Sequence, residues 1–210
     1  MLGILKRDFL LMISSKQLII MLIFYIPFLI IISESFVPEV LYYMIIVFYS
    51  YLMSIMSFSY DITGKSKYIM NSLPISRRQL VLYKYLSTFV YFAVAIVYAG
   101  VYLWIIDTLG LVHVDYFNIR IIINALPTVM IFTSIVYPAY FRFEPKIAQI
   151  VQMIVLMSFF IIISNISFTG DKGILKYIGI LQWEQVMGIA LVAYILSLVL
   201  SNQLYKNRDI

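Results

Sequence analysis

Six apolar runs dominate the chain: residues 17–33, 40–60, 86–106, 121–141, 147–170 and 185–205, each 17 to 24 residues long and free of Asp, Glu, Lys and Arg. A bilayer's hydrocarbon core is about 30 Å thick and takes about 20 helical residues to cross. Backbone groups in lipid have no water to bond to, and a helix pairs them within one segment. The runs are apolar all round, whereas the strands of a membrane barrel alternate in polarity over about ten residues. The pattern predicts an all-α integral membrane protein with six transmembrane helices, arranged as one domain over residues 1–210.

The stretches between the runs predict three further elements. In residues 1–16, Leu2, Leu5, Phe9 and Met12 recur at helical spacing, with Lys6, Arg7 and Asp8 elsewhere on the turn, which suits a short helix in the cytosolic interface. A cleaved signal peptide fits less well, because the charged lead is long and no small-residue cleavage pattern follows Ile32. Residues 61–75 form a basic cytosolic segment between the second and third spans. Ser76 and Gln79 match a capping box, flanked by Ile75 and Leu80 as a hydrophobic staple, so the third helix starts at Ser76 and runs over 76–106. Pro74 forces Leu73 out of helical geometry, so a preceding short helix, about 64–72, ends there. Beyond the fifth span, Ile174, Tyr177, Ile178 and Leu181 fall at i, i+3, i+4 and i+7, as in a short helix dipping into the outer interface.

Composition confirms the solvent and charge sets the orientation. Of 210 residues, 63% are hydrophobic and 12% charged, against about half and a quarter in soluble domains. The absence of cysteine excludes disulfides and thiolate metal sites. Twelve of the 15 Lys and Arg fall on the side of the N-terminus and three on the other, so both termini are expected in the cytosol. The net charge of +5 is thus a membrane-orientation signal and not a nucleic-acid one.

The polar residues inside the runs are the candidates for function. The fourth span carries Asn124, Pro127, Thr128, Thr133, Ser134 and Pro138, and the fifth Gln149, Gln152 and Ser158. Such groups face the bundle interior or a pathway, so Asn124, Thr128, Thr133, Gln149 and Gln152 are candidates to line a translocation route, with interhelical bonding as the open alternative. Ile174, Tyr177 and Trp183 are candidates for an external gate or an interfacial anchor. Ser50, Ser54 and Ser57, Ala95 and Ala99, and Ala193, Ser197 and Ser201 form small-residue stripes suited to close packing. No charge sits deep in a span, which argues against a proton relay. The Gly64-Lys65-Ser66 triplet ends like a phosphate-binding loop, but Ser59 stands where the first glycine belongs and a membrane helix precedes it. No metal or catalytic constellation is present, and the lone His113 has no orienting partner in its loop, so the chain is expected to be no enzyme and to bind no cofactor itself.

Asp61, then Ser72-Leu73-Pro74-Ile75-Ser76-Arg77, Val81 and Lys84-Tyr85, resembles the coupling-helix region of type-2 ABC exporter permeases, the short bacterial half-permeases in particular. Residues 138–146 resemble that family's turn before span five, although Glu144 stands where its members often have glycine. The resemblance implies a half-transporter: two six-helix units, identical or related, above two separate cytosolic ATPase subunits that bind Mg-ATP. It implies an ATPase-coupling role for Lys65, Lys67, Tyr68, Met70, Pro74, Ser76 and Arg77, and a bacterial cell membrane as the setting. Within the family the chain looks most like exporters of amphipathic or antimicrobial peptides such as phenol-soluble modulins. A non-transporting immunity or sensor protein that binds peptide externally is the alternative from another class.

Overall fold

The computed structural model describes residues 2–16, 19–20, 23–26, 38–62, 76–110, 116–169 and 183–206. Six helices have defined bounds: α1 Leu2–Ser14, α2 Pro38–Ile62, α3 Arg77–Thr108, α4 Ile119–Arg142, α5 Pro145–Thr169 and α6 Trp183–Lys206. The last five are long and apolar enough to cross a membrane. Of the expected span 17–33, the structure describes only residues 19–20 and 23–26, which are helical. The expected short helices near 64–72 and 174–181 lie outside the described residues. Several helices extend past their apolar runs and take in charged residues such as Asp61, Asp107, Arg120 and Arg142. A backbone ladder continues until a cap stops it, not where the lipid ends.

The caps follow the local sequence. Ser76 takes an extended conformation, its hydroxyl accepts the Gln79 N–H at 3.3 Å, and the Ser76 N–H donates to Gln79 Oε1 at 3.1 Å, completing the box. At the start of α4 the Arg120 N–H donates to Asn118 Oδ1 at 3.0 Å, an N-cap bond. Pro145 opens α5, where its missing N–H has no helical partner to lose.

The chain forms two compact units, Met1–Ala125 and Leu126–Ile210, with the division inside α4. In the first, α2 is the central helix. Its membrane window is 89% buried, as expected of a helix apolar all round. Ser50 and Ser54 donate to the carbonyls of Ile46 and Ser50, at 2.6 and 2.7 Å, so both hydroxyls are satisfied without a partner helix. Ala95 and Ala99 of α3 are fully buried. An aromatic ladder ties residues 23–26 to this pair: Tyr25 stacks on Phe48 at 3.7 Å, Tyr49 meets Tyr98 edge-on at 5.2 Å, and the Tyr102 hydroxyl donates to the Ile23 carbonyl at 3.1 Å.

A tighter contact lies in the C-terminal third of α3. Phe117 holds a positive φ of 59°, rare for a bulky residue, and its ring presses against Gly100 where a methyl group would have no room. A side chain at position 100 would force the ring to move.

In the second unit, proline chemistry decides the packing. Pro138 has no N–H for the carbonyl of Ser134, four residues earlier in α4. The Ser197 hydroxyl of α6 donates to that carbonyl at 2.6 Å. Ala190, Tyr194, Ser197 and Ser201 form the buried stripe of α6. Tyr140 donates to Gln152 Oε1 at 2.6 Å, and Phe132 meets Phe159 edge-on at 5.4 Å, joining α4 to α5.

Candidate functional site: the helix ends flanking segment 63–75

Segment 63–75 leaves α2 at Ile62 and returns at Ser76, and a buried charge cluster lies between the helix ends that flank it. Lys84 stands two turns into α3 and Ser57 just over one turn before the end of α2. The Lys84 ammonium donates to the Ser57 carbonyl at 2.9 Å and to the Ser57 hydroxyl. It also approaches the faces of Phe58 and Tyr83, at 5.0 and 5.8 Å from the ring centres. These ammonium-ring distances permit cation–π attraction.

The counter-charge comes from α1. Asp8 Oδ2 accepts Ser57 Oγ at 2.8 Å, the Tyr83 hydroxyl at 3.0 Å, the Tyr91 hydroxyl at 3.3 Å and Lys84 Nζ at 3.4 Å. Oδ1 takes the Arg7 guanidinium at 2.6 and 3.1 Å. Donors from three helices therefore converge on one carboxylate. Burial by itself raises the Asp8 pKa, but the charge of Lys84, then the bonds from Arg7 and Ser57, outweigh it and hold the carboxyl below its ordinary value. The group is an ionised, fully bonded aspartate in the interior.

Sequence periodicity holds a signal for this cluster. Asp8 falls on the apolar stripe of α1 and not off it, since Leu5, Asp8, Phe9 and Met12 stand at i, i+3, i+4 and i+7. The structure turns that stripe inward: Asp8 and Met12 are buried, Met12 clusters with Met53 and Tyr91, and Phe9 meets Tyr91 edge-on at 5.6 Å. Leu10 and Ile13 face outward instead, 58% and 66% exposed. A carboxylate at an apolar stripe position of one helix and a lysine inside another were the clues.

The candidates from the sequence fall in different settings. Ser76 and Arg77 sit at the exposed, capped start of α3, while Lys65, Lys67, Tyr68, Met70 and Pro74 lie outside the described residues. Among the pathway candidates, Asn124 and Gln149 are exposed and Thr128 is half-buried. Thr133 is buried and donates to the carbonyls of Val129 and Met130 in its own helix. Gln152 is half-buried and bonds Tyr140. Trp183 opens α6, 44% exposed, and Ile174 and Tyr177 lie outside the described residues. Among the described residues, no group of three or more His, Asp and Glu gathers to hold a metal.

Five long apolar helices, with the carbonyl freed by Pro138 taken up by the Ser197 hydroxyl, mark a multi-pass membrane protein. Residues 3–206 match the family model described as ABC-2 family transporter protein, and the chain belongs to that family. No curated protein and no solved structure matches it. Family membership implies an ATPase partner and a membrane setting.

Proposed function

We propose that the chain is the membrane-spanning half of an exporter for an amphipathic or antimicrobial-type peptide, or a similar amphiphile, driven by separate cytosolic ATPase subunits. The family match makes it a permease component. The observation that carries the coupling role is the rigid start of α3: a complete capping box at Ser76 directly follows the basic segment. The cap satisfies N–H groups that would otherwise lack a partner at this end, so the helix is ordered from its first turn. In this reading residues 61–75 dock on the ATPase, which binds Mg-ATP, and closure of the ATPase tilts α3. The chain itself catalyses nothing. It pairs with a second half, identical or related, in a bacterial cell membrane with both termini in the cytosol. Asn124, Thr128, Thr133, Gln149 and Gln152 line the route, and Ile174, Tyr177 and Trp183 gate its outer end.

The test is purification of the tagged chain in mild detergent and identification of what accompanies it. A stoichiometric ATPase supports the reading, and a second six-helix chain identifies a heterodimer. Replacing Lys67 and Tyr68 together by Asp is expected to release the ATPase while leaving membrane insertion intact. A chain that carries no ATPase from its native membrane is not an exporter half, and the non-transporting reading takes its place.

A further inference from the structure

We infer that Asp8 and Lys84 are positioning residues for coupling: they brace the two helix ends flanking segment 63–75 and bind α1 into the same rigid block. The inference rests on the exporter reading above.

Three observations carry it. The first is placement. Lys84 joins α3 to α2 through both the carbonyl and the hydroxyl of Ser57, so the ends from which the cytosolic segment leaves and returns are held at fixed separation. The second is the number of helices involved. Asp8 bonds Ser57 on α2 and Tyr83, Lys84 and Tyr91 on α3, so α1 cannot shift without breaking contacts to both. The third is chemistry. An ionised pair with 1% of either side chain exposed is a poor way to gain stability, since apolar residues of similar volume often do as well or better. What such a pair provides is a single geometry, because displacement of either charge leaves the other buried and unpaired. A load arriving at Ser76 therefore moves α3, the end of α2 and α1 together. Without the brace, the ends of α2 and α3 can splay and take up the displacement locally.

The absence of cysteine allows a clean test, because one introduced thiol is the only one in the chain. Leu109, the exposed C-cap of α3, is replaced by Cys in the complex of this chain with its co-purified ATPase, in nanodiscs. Labelling by a membrane-impermeant maleimide is measured with and without Mg-ATP and vanadate. The test variant is Asp8→Asn with Lys84→Gln, which removes both charges and strands neither. It is expected to keep the ATPase bound while the nucleotide-dependent change in labelling falls at least about five-fold, the low end of ordinary coupling between sites. An unchanged labelling response overturns the inference and leaves the exporter reading intact. So does a response already absent with the brace in place. If no ATPase accompanies the unaltered chain, the exporter reading fails and the inference fails with it. Should the double variant not accumulate, Tyr91→Phe removes one bond to Asp8 and keeps the ring against Phe9. It is expected to weaken the response in the same direction, and an unchanged response there also overturns the inference.

Discussion

Asp8 on α1 and Lys84 on α3 stand 76 residues apart in sequence and 3.4 Å apart in space, each with 1% of its side chain exposed. The pair is hydrogen-bonded on both sides, so the energetic weight lies in breaking it, not in having it.

Removing one partner is therefore expected to do more harm than removing both. Lys84→Met alone leaves Asp8 buried with Arg7 as its remaining cation and should destabilise the chain by about 3–5 kcal/mol. Asp8→Asn with Lys84→Met should be milder than the sum of the single changes. Thermal midpoints of the four proteins in one detergent check this, and strict additivity would rule out a coupled pair.

The cluster also predicts acid sensitivity. The Asp8 pKa lies below the ordinary carboxylate value in the folded protein, so its stabilising contribution is complete above the unfolded pKa and is lost as pH falls through the folded one. Thermal midpoints from pH 7 down to 3 should fall at the acid end, and the part of that fall due to Asp8 should vanish in Asp8→Asn with Lys84→Gln.

The capping box at Ser76 is exposed and local. Ser76→Ala should cost about 1 kcal/mol, the usual value of an N-cap. The measurable effect is faster hydrogen exchange over the first turn of α3, with the C-terminal end of the helix unaffected.

Gly100→Ala places a methyl group in the space occupied by the Phe117 ring. The ring is 46% exposed and is expected to swing away. Limited chymotrypsin digestion of the detergent-purified chain should then cut at Phe117 more readily. Gly100→Ala combined with Phe117→Ala should show no further loss of stability beyond Phe117→Ala alone, because the clash has gone.

Ser197 and Pro138 form a third coupled pair. Ser197→Ala leaves the Ser134 carbonyl without its donor and should cost about 1–2 kcal/mol, the scale of hydrogen bonds between membrane helices. With Pro138→Ala the helix regains its own N–H at that carbonyl, and Ser197→Ala should become nearly neutral. Equal effects in both backgrounds would show that Pro138 does not decide the bond.

The run lengths at 40–60, 86–106, 121–141, 147–170 and 185–205 determined five helices, because a backbone in lipid has no other way to pair its polar groups. The start of α3 was equally legible, since a capping box is completed by residues three positions apart. Placement of the polar side chains was not. Asp8 stands at an apolar stripe position and Lys84 inside a helix, but which groups they meet is decided only by the packing of α1 against α2 and α3. Ser197 read as a small packing residue, and its role as donor depended on which carbonyl Pro138 had freed on the facing helix. Phe117 and Gly100 lie 17 positions apart, on a turn and a helix, and neither the positive φ of Phe117 nor its contact with Gly100 is written in the local sequence. The sequence by itself determined where the chain meets lipid, because that depends on each residue's own affinity for hydrocarbon. Tertiary structure decided which charges and hydroxyls are spent on one another, because a hydrogen bond depends on the position of both partners.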